Sequence, residues 1–439
     1  MSKQPADLVV EARWLIPVTE PWEIIEAGAI AVGDGRILAI GPAAAVLDRF
    51  QPARHLSLPT HTLLPGLVNA HGHAAMSLLR GFAEDVPLQS WLKQRIWPLE
   101  ARWADRAFVR DGVRLALAEM ISRGITCFSD MYFFPETTAE EARLAGVRAQ
   151  IAFPVIEFAN AWSDSTEEAF HKGFDLHDLY RNDPRIRIAF GPHSVYSIAT
   201  ADLDKILTFS EELDANVQIH LHENATELND CRRLFGMSGI DHLHAHDLLG
   251  PRLQAVHMTQ ISPRELELLA ASSVQIVHCP TSNAKLGSGL CPVTELLAAG
   301  INVCLGTDGA ASNNSLDILG EARLASLLAK LTRTDAAALP ARTALEMATV
   351  RGARALGLAA ETGSLQAGLA ADFIAVDMSG PGQQPLFDPL AQLIHTSSGA
   401  RVSHVWVDGE CLLEDYALTR MDTTAILANA AQWQQRMQQ

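Results

Sequence analysis

Two histidines separated by a single glycine follow the first apolar run of the central part of the chain. His71 and His73 flank Gly72, and residues two positions apart in extended backbone project to the same side. The glycine lets the chain bend toward an ion, and imidazole is a common ligand of Zn²⁺. By themselves the two histidines are a weak indication of a metal site, because polar residues at strand ends also satisfy loop backbone groups.

Acidic and imidazole side chains recur after the later apolar runs. They are Asp130, His193, His220, His222, Glu223, His257, His278 and Asp308. In a parallel barrel the carboxyl ends of the strands share one face, so residues far apart in sequence converge there. His220 and Asp308 would then complete, with the pair at 71 and 73, a set of three nitrogen ligands and one oxygen ligand that suits Zn²⁺ or another borderline divalent metal. No strand offers an obvious bridging lysine, which favours one metal ion over two.

Two other groups of histidines compete for a metal role. His222 shares a strand face with His220 and stays an alternative ligand, although the His220-x-x-Glu223 spacing supplies a ligand and an acid together. Three alternating histidines at 242–246 form a denser cluster. They lie between the fifth and sixth apolar runs, where an outer helix or loop is expected, so we predict a solvated face there.

The elements that position these residues alternate along the chain. Helical stretches rich in Ala and Leu, such as 114–122, 264–271 and 343–356, separate strand-like apolar runs, which is typical of repeated βα units. The strand-like runs are 64–68, 124–131, 148–158, 185–191, 217–221, 253–258, 274–279 and 302–307. Eight is the number that a (β/α)₈ barrel of the TIM type requires, so we predict an α/β fold of this kind.

Short β runs with turn residues between them occupy both ends of the chain. Those near the N-terminus are 7–10, 29–32 and 36–40, and those near the C-terminus are 372–376 and 402–407. Tight turns at Gly33-Asp34-Gly35 and Asp408-Gly409 fit hairpins. The two terminal segments could therefore close one small domain beside the barrel.

Composition restricts the classes of partner. The 439 residues are 48% hydrophobic and 19% charged, which indicates a large folded core. A net charge of −17 is the wrong sign for a nucleic acid polymer or an anionic membrane. The six cysteines are isolated, no apolar run reaches the roughly 18 residues of a membrane span, and no secretory signal opens the chain. We predict a cytoplasmic protein with neither nucleic acid nor membrane as a partner.

Longer motifs are spread over nearly the whole chain. They are LPGLVNAHGH (64–73), WL and WPLE (91–92 and 97–100), GPH (191–193), HLHE (220–223), GTDGAASNN (306–314), and GSLQAG with ADF (363–368 and 371–373). With these motifs the chain resembles the amidohydrolase superfamily, in the branch that contains adenosine-derivative deaminases and triazine hydrolases. The resemblance implies a distorted (β/α)₈ barrel at 65–364 and a β-sandwich domain from 1–64 and 365–439.

The resemblance also implies a site. It places one Zn²⁺ per subunit, or Fe²⁺ in some relatives, on His71, His73, His220 and Asp308. In the deaminases the position of Glu100 binds the ribose hydroxyls and that of His193 contacts the nucleoside. A carboxylate suits a vicinal diol because it accepts two hydrogen bonds. Family habit further implies a homo-oligomer and a small-molecule nucleoside substrate.

The chemistry implied is hydrolytic deamination of an adenosine derivative to its inosine analogue and ammonia. A bound divalent metal lowers the pKa of a water molecule and supplies hydroxide for C6 of the ring. Asp308 with His257 would accept the water proton, while Glu223 protonates ring N1 and helps to deliver a proton to the departing amine. Glu223 and Asp308 would both contact the substrate.

The third strand bears on the choice of substrate. Several relatives carry an arginine there that meets the carboxylate of a homocysteine arm, whereas residues 151–158 contain none. Phe153, Pro154 and Phe158 predict an apolar surround, which favours 5′-methylthioadenosine over S-adenosylhomocysteine, with adenosine third. Two alternatives stay open: a guanine- or triazine-type aminohydrolase, for which a ribose ligand at Glu100 is superfluous, and a metal-binding barrel without turnover.

Overall fold

The computed structural model describes residues 3–86, 88–396 and 398–439, and within them the strands form two sheets of eight. The strands are β1 (Gln4–Leu15), β2 (Ile25–Gly33), β3 (Arg36–Pro42), β4 (Phe50–Pro65), β5 (Leu67–Asn69), β6 (Ile125–Asp130), β7 (Arg148–Val155), β8 (Ile186–Pro192), β9 (Val217–Leu221), β10 (Leu253–His257), β11 (Gln275–His278), β12 (Asn302–Leu305), β13 (Phe373–Asp377), β14 (Val402–Val407), β15 (Glu410–Glu414) and β16 (Ala417–Leu418). Met1 and Ser2, the first residues of the expected terminal domain, lie outside the described ranges.

Helices follow most of the strands. They are α1 (Ala43–Arg49), α2 (Leu88–Trp91), α3 (Trp97–Trp103), α4 (Arg106–Ser122), α5 (Pro135–Ala145), α6 (Thr166–Tyr180), α7 (Thr200–Glu212), α8 (Ala225–Phe235), α9 (Gly239–Ala245), α10 (Pro263–Ser272), α11 (Pro280–Lys285), α12 (Val293–Ala298), α13 (Ala310–Asn313), α14 (Ile318–Arg333), α15 (Ala341–Ala348), α16 (Val350–Ala355), α17 (Pro389–His395) and α18 (Thr423–Met437). Among the described residues no helix has the length and apolar character needed to cross a membrane.

Strands β5 to β12 form the predicted barrel. They pair in sequence order and in parallel, and the Ala70 N–H after β5 donates to Leu305 O of β12 at 2.9 Å, which brings the first and last strands together. Such strands are covered on both faces, so burial continues along the strand rather than alternating. Every residue of β7, for example, is buried. The predicted α/β barrel is confirmed.

One predicted helix is two helices in the structure. The run 343–356 is divided between α15 and α16 by Thr349, whose φ of −134° and ψ of −98° lie outside the helical range. Its hydroxyl donates to Leu345 O at 2.7 Å. A threonine hydroxyl that bonds to the preceding turn competes with the helical pattern, a local effect that apolar periodicity does not reveal.

The second sheet combines both ends of the chain, as the sequence predicts. Its strand order is β16-β15-β14-β13-β4-β1-β2-β3. The sheet curls so that its two halves share one core, in which Ile30 and Leu63 lie with Phe373 and Trp406, and the two aromatic rings stack at 4.4 Å between centroids. The long strand β4 leads directly into the barrel at β5. The exact domain boundaries stay a prediction.

A buried ion pair joins the two units at the N-terminal end of the barrel strands. Arg148, at the start of β7, is 2% exposed, and its Nε donates to Asp372 Oδ2 at 2.6 Å. Its Nη2 also donates to Asp408 in the turn after β14. This contact leaves the opposite end of the barrel, where active sites of this architecture lie, clear of the terminal sheet.

Candidate active site

Four side chains converge at the C-terminal ends of three barrel strands. They are His71 and His73 after β5, His220 on β9, and Asp308 after β12, and one ligand atom from each lies within 4.8 Å of all the others. Nε2 of His71 is 3.2 Å from Nε2 of His220. Oδ1 of Asp308 is 3.2 Å from Nε2 of His73 and 3.5 Å from Nε2 of His71.

The second nitrogen of each imidazole shows that the group fits a metal ion. The contacts are His71 Nδ1 to Gln218 Oε1 at 2.8 Å, His73 Nδ1 to Met131 O at 2.5 Å, and His220 Nδ1 to His193 O at 2.7 Å. An oxygen acceptor fixes a proton on each Nδ1, so each Nε2 faces the common centre and can become a ligand once it carries no proton. Three such nitrogens beside a carboxylate form a donor set that suits a divalent ion such as Zn²⁺.

The charges of the site point the same way. Burial lowers the pKa of His71 and of His220. Burial opposes ionisation of Asp308, but hydrogen bonds from His71 and His73 hold the pKa of this carboxyl well below its usual range. Burial alone would lower the pKa of His73, but the hydrogen bond to Asp308 has the opposite effect, and the pKa is raised to about 9. Asp308 therefore attracts a positive charge, which a metal ion would supply in exchange for this proton.

Two serines hold the Asp308 carboxylate. Ser282 and Ser312 donate to Oδ2 at 2.6 and 2.8 Å, and the Gly309 N–H donates to Oδ1 at 2.8 Å. The backbone of Asp308 is left-handed, with φ of 61°, a conformation that persists where the surroundings enforce it. Sequence reasoning missed both serines. Ser312 could have been identified from the sequence, because it lies four residues after Asp308 in the same motif.

A cavity of about 570 Å³ opens above the four residues, a size that suits a small-molecule ligand. Its polar lining includes Glu100, His193, Glu223 and His257 together with three of the four clustered residues. His71 lies beneath the cavity and is fully buried. The structure thus brings the four clustered residues together with the four other polar residues that the resemblance assigns to the site.

Glu223 and His257 form an acid and a base side by side. Glu223 Oε1 is 4.0 Å from His257 Nε2. Burial raises the pKa of Glu223 to about 8, with the charge of Asp308 adding to the effect. Burial lowers the pKa of His257, whose Nδ1 contacts Asn283 Oδ1 at 2.9 Å. At neutral pH Glu223 can therefore donate a proton and His257 can accept one.

A second carboxyl group lines the same cavity. Glu100, in the first turn of α3, accepts a hydrogen bond from the Tyr132 hydroxyl at 2.7 Å. Burial raises the pKa of Glu100 to about 7, although this hydrogen bond opposes the rise. Sequence reasoning missed Tyr132, which follows β6 and also lines the cavity. His193 contacts the cavity as a neutral imidazole, since burial lowers its pKa to about 4.

The cavity wall after β7 is apolar but differs in one residue from the expectation. Pro154, Ile156 and Phe158 line the cavity. Phe153 was expected to join them, and this is wrong: its ring packs outward against Phe190, with 5.0 Å between centroids. Adjacent residues of a strand point to opposite faces, so Phe153 and Pro154 cannot both face the cavity. Among the described residues that line the cavity, none is Arg or Lys.

Other candidate residues of the barrel mouth lie outside this group. His222 turns away, with Nδ1 at 2.6 Å from Gln260 O, so the structure places His220 rather than His222 in the cluster. His278 lines a separate small cavity beside Cys291. Asp130 accepts a hydrogen bond from the Ala74 N–H at 2.6 Å and does not reach the cluster. Position at a strand end alone does not distinguish these residues from the four that converge.

The histidine run at 242–246 is only partly the solvated face that was predicted. His244 is exposed, as expected on α9. His242 is 6% exposed, and its ring stacks on Phe235 at 4.1 Å between centroids, so the prediction is wrong for this residue. The neighbouring helix α8 supplies the phenyl ring, a contact that the pattern of the run does not indicate.

Known proteins share this architecture. The sequence model of the amidohydrolase family matches residues 62–412. The chain is 47% identical over 437 residues to the 5-methylthioadenosine/S-adenosylhomocysteine deaminase of Saccharophagus degradans. The matched region covers 100% of this chain and 98% of that protein. The crystal structure of an adenosine deaminase from Xanthomonas campestris with bound zinc superposes with a TM-score of 0.98 at 43% identity, over 100% of both chains.

A triazine hydrolase from Arthrobacter aurescens is also similar, with a TM-score of 0.92 at 26% identity over 98% of this chain and 99% of that chain. The shared barrel and terminal sheet agree with the fold described above. Because the family model matches most of the chain and a relative is similar over its full length, the chain belongs to the amidohydrolase family.

Proposed function

We propose that this protein is a metal-dependent deaminase of adenosine derivatives, with 5′-methylthioadenosine as its preferred substrate, and that it releases ammonia and the inosine analogue. The observation that carries the proposal is a grouping at one cavity: the cluster of three histidines and Asp308 lies together with the proton-bearing Glu223 and with Glu100. Full-length relatives named as 5-methylthioadenosine/S-adenosylhomocysteine deaminases support it.

The metal would be held by His71, His73, His220 and Asp308. Zn²⁺ suits these donors, and the similar adenosine deaminase structure contains zinc. When bound, a divalent ion would lower the pKa of a water molecule toward neutrality and supply hydroxide for attack at C6. The same donors accept Fe²⁺, so metal analysis of the purified protein is the measurement that separates the two ions.

The protein's own groups would move the protons. Glu223 protonates ring N1, which makes C6 more electrophilic, and its raised pKa keeps that proton available at neutral pH. Asp308 and the neutral His257 accept the proton of the attacking water. The proton held by Asp308 and His257 is then delivered to the amino nitrogen with the help of Glu223, the C6–N bond breaks and ammonia leaves. The second proton of the water, released as the C6 hydroxyl becomes a carbonyl, restores the Glu223 carboxyl. One water molecule is consumed for each ammonia released.

The remaining cavity residues would select the substrate. Glu100, oriented by Tyr132, accepts hydrogen bonds from the two ribose hydroxyls, and His193 contacts the nucleoside. The 5′ substituent meets the apolar wall of Pro154, Ile156 and Phe158. A methylthio group suits this wall, whereas the carboxylate of a homocysteine arm would lose a charge-assisted partner.

A substrate panel tests the proposal. Protein of measured metal content is assayed for ammonia release from 5′-methylthioadenosine, S-adenosylhomocysteine, adenosine, adenine and guanine, and kcat/KM is compared across the panel. We expect 5′-methylthioadenosine to lead by about tenfold, which corresponds to ~1.4 kcal/mol of transition-state preference. A preference for free bases, or no ammonia release at all, would contradict the proposal.

A further inference from the structure

A buried carboxylate on α8 holds the turn that carries Glu223. Glu227 is 3% exposed. Its Oε1 accepts the His222 N–H at 3.0 Å, and its Oε2 accepts the Glu223 N–H at 2.6 Å. One side chain therefore binds two successive backbone donors, and both of its oxygens are used. Burial raises the pKa of Glu227 to about 8, although the hydrogen bonds from the two N–H groups oppose the rise, and the ionised side chain accepts with both oxygens.

The turn is bound from its other side as well. The Thr259 N–H donates to His222 O at 2.9 Å, and the Thr259 hydroxyl donates to Glu223 O at 2.7 Å. The amide N–H of Glu223 is thus fixed by Glu227 and its carbonyl by Thr259. Both peptide units next to the Glu223 Cα are held by groups from outside the turn.

The conformation of the turn depends on this support. His222 is left-handed, with φ of 50°, which is unfavourable for a residue with a side chain and persists only where the surroundings enforce it. Glu227 itself is fixed by the start of α8, where the Asn224 side chain accepts the Glu227 N–H at 2.9 Å. The rigid helix end therefore sets where the turn lies, and the turn sets where the Glu223 carboxyl points.

We propose that Glu227 is a positioning residue for proton transfer by Glu223. Its carboxylate fixes the turn so that the Glu223 carboxyl stays in the cavity beside His257. The inference rests on the proposed function, in which Glu223 carries the proton to ring N1. Proton transfer needs a heavy-atom distance of hydrogen-bond length, and a shift of the donor by about 1 Å costs up to roughly 10² in rate.

The test is a double-mutant cycle on the holoenzyme with 5′-methylthioadenosine. Glu227→Gln keeps the size of the side chain, but its amide nitrogen cannot accept the second backbone N–H. We expect kcat to fall by roughly 10- to 100-fold, with a smaller change in KM and an unchanged metal content. Glu223→Gln alone should lower kcat by about 10²–10⁴. If Glu227 acts through Glu223, the double variant should lie within about threefold of Glu223→Gln.

A matched control separates positioning from general destabilisation. Glu265 is also a buried carboxylate that accepts a backbone N–H, from Ser262 at 2.7 Å, but it does not line the cavity. Glu265→Gln should keep kcat within about twofold. If Glu227→Gln does not fold, Thr259→Val takes its place in the same cycle. Thr259→Val removes the hydroxyl that donates to Glu223 O. Thr259→Ser keeps a hydroxyl, so its kcat should fall less than that of Thr259→Val.

Two results would overturn the inference while the proposed function stands: a wild-type kcat in Glu227→Gln, or effects of the Glu223 and Glu227 substitutions that multiply in the double variant. Multiplying effects would mean that Glu227 stabilises the fold independently of the acid. Wild-type protein without activity on any nucleoside would overturn the proposed function, and the inference with it. The wild-type measurement therefore distinguishes the two failures.

Discussion

Glu100 and Glu223 are both buried glutamates in one cavity, yet their neighbours prepare them for different roles. Burial raises the pKa of each. The Tyr132 hydroxyl opposes this rise for Glu100, whose pKa is raised to about 7, whereas the charge of Asp308 adds to it for Glu223, whose pKa is raised to about 8. One group is thereby closer to an ionised acceptor and the other to a protonated donor, which is how a pair of carboxyl groups divides acid and acceptor duties.

This difference predicts a pH effect on ribose recognition. Glu100 must be ionised to accept two ribose hydroxyls, and since its pKa is raised to about 7, it loses that form as pH falls through 7. We expect kcat/KM for the nucleoside to decline below about pH 7, and a 2′,3′-dideoxy analogue to show no such decline. Tyr132→Phe should move this acidic decline of kcat/KM to higher pH, because the substitution removes the hydroxyl that donates to the Glu100 carboxylate and stabilises it. An acidic decline at the same pH in this variant and in the wild type would contradict the assignment of the decline to Glu100.

The site residues could be predicted because they carry their own chemistry. Imidazoles and carboxylates after successive strands are visible in the sequence, and the barrel brings them together. Their supporting partners were not predictable in the same way. Gln218 contacts His71 across 147 positions of sequence, and Ser282 contacts Asp308 from helix α11. Such partners are chosen by side-chain packing, which leaves no pattern along the chain.

At the scale of elements, the end of β7 forms the apolar part of the cavity wall that we propose to contact the 5′ substituent. The strand ends at Val155, and the chain continues along the cavity wall to Phe158, which is partly exposed at 57% and lines the cavity. The sequence predicted an apolar wall of Phe153, Pro154 and Phe158 here, of which Phe153 does not line the cavity. Alternation along the strand decides that, and it places Phe153 outside and Pro154 inside.

A cation introduced into this wall should change the preference. We expect Phe158→Arg to raise kcat/KM for S-adenosylhomocysteine relative to 5′-methylthioadenosine by at least about threefold, because a guanidinium can bind the homocysteine carboxylate at a solvent-exposed rim. Phe158→Gln is the matched control, since it removes the ring without adding charge. Competition assays with both substrates measure the ratio directly. Equal ratios in the two variants would show that the 5′ substituent does not reach this wall.

For the whole molecule, a buried ion pair between the two units is a contact that periodicity could not reveal. The eight apolar runs predicted the barrel, and the terminal β runs predicted the second sheet. One contact between them is Arg148 with Asp372, which lie 224 positions apart and are almost fully buried. Buried Arg is rare unless it is paired, but neither the pair nor its place at the base of the barrel follows from any local pattern.

Breaking this pair should destabilise the protein strongly. We expect Arg148→Met to lower the free energy of unfolding by about 3–5 kcal/mol, because it leaves the Asp372 carboxylate buried without its partner. The double variant Arg148→Met/Asp372→Asn should lose less unfolding free energy than the single variant, because the uncompensated Asp372 charge is then absent. Equilibrium urea unfolding followed by circular dichroism measures both. Unchanged stability in the single variant would show that the pair is dispensable.

The four candidate metal ligands lie where the first and last strands of the barrel meet. We therefore predict that metal binding raises the stability of the fold. Two of these ligands follow β5 and one follows β12, the first and last strands of the barrel. An ion bound there would hold the closed form and stabilise the fold in proportion to its affinity. We expect a chelator to lower Tm and Zn²⁺ to restore it. The chelator effect should vanish in His71→Ala, which lacks a ligand, and persist in His193→Ala, because His193 lines the cavity but lies outside the cluster. Equal chelator responses in the two variants would mean that the ion binds elsewhere. The response should also weaken at low pH, since His73 must release its proton to bind the ion.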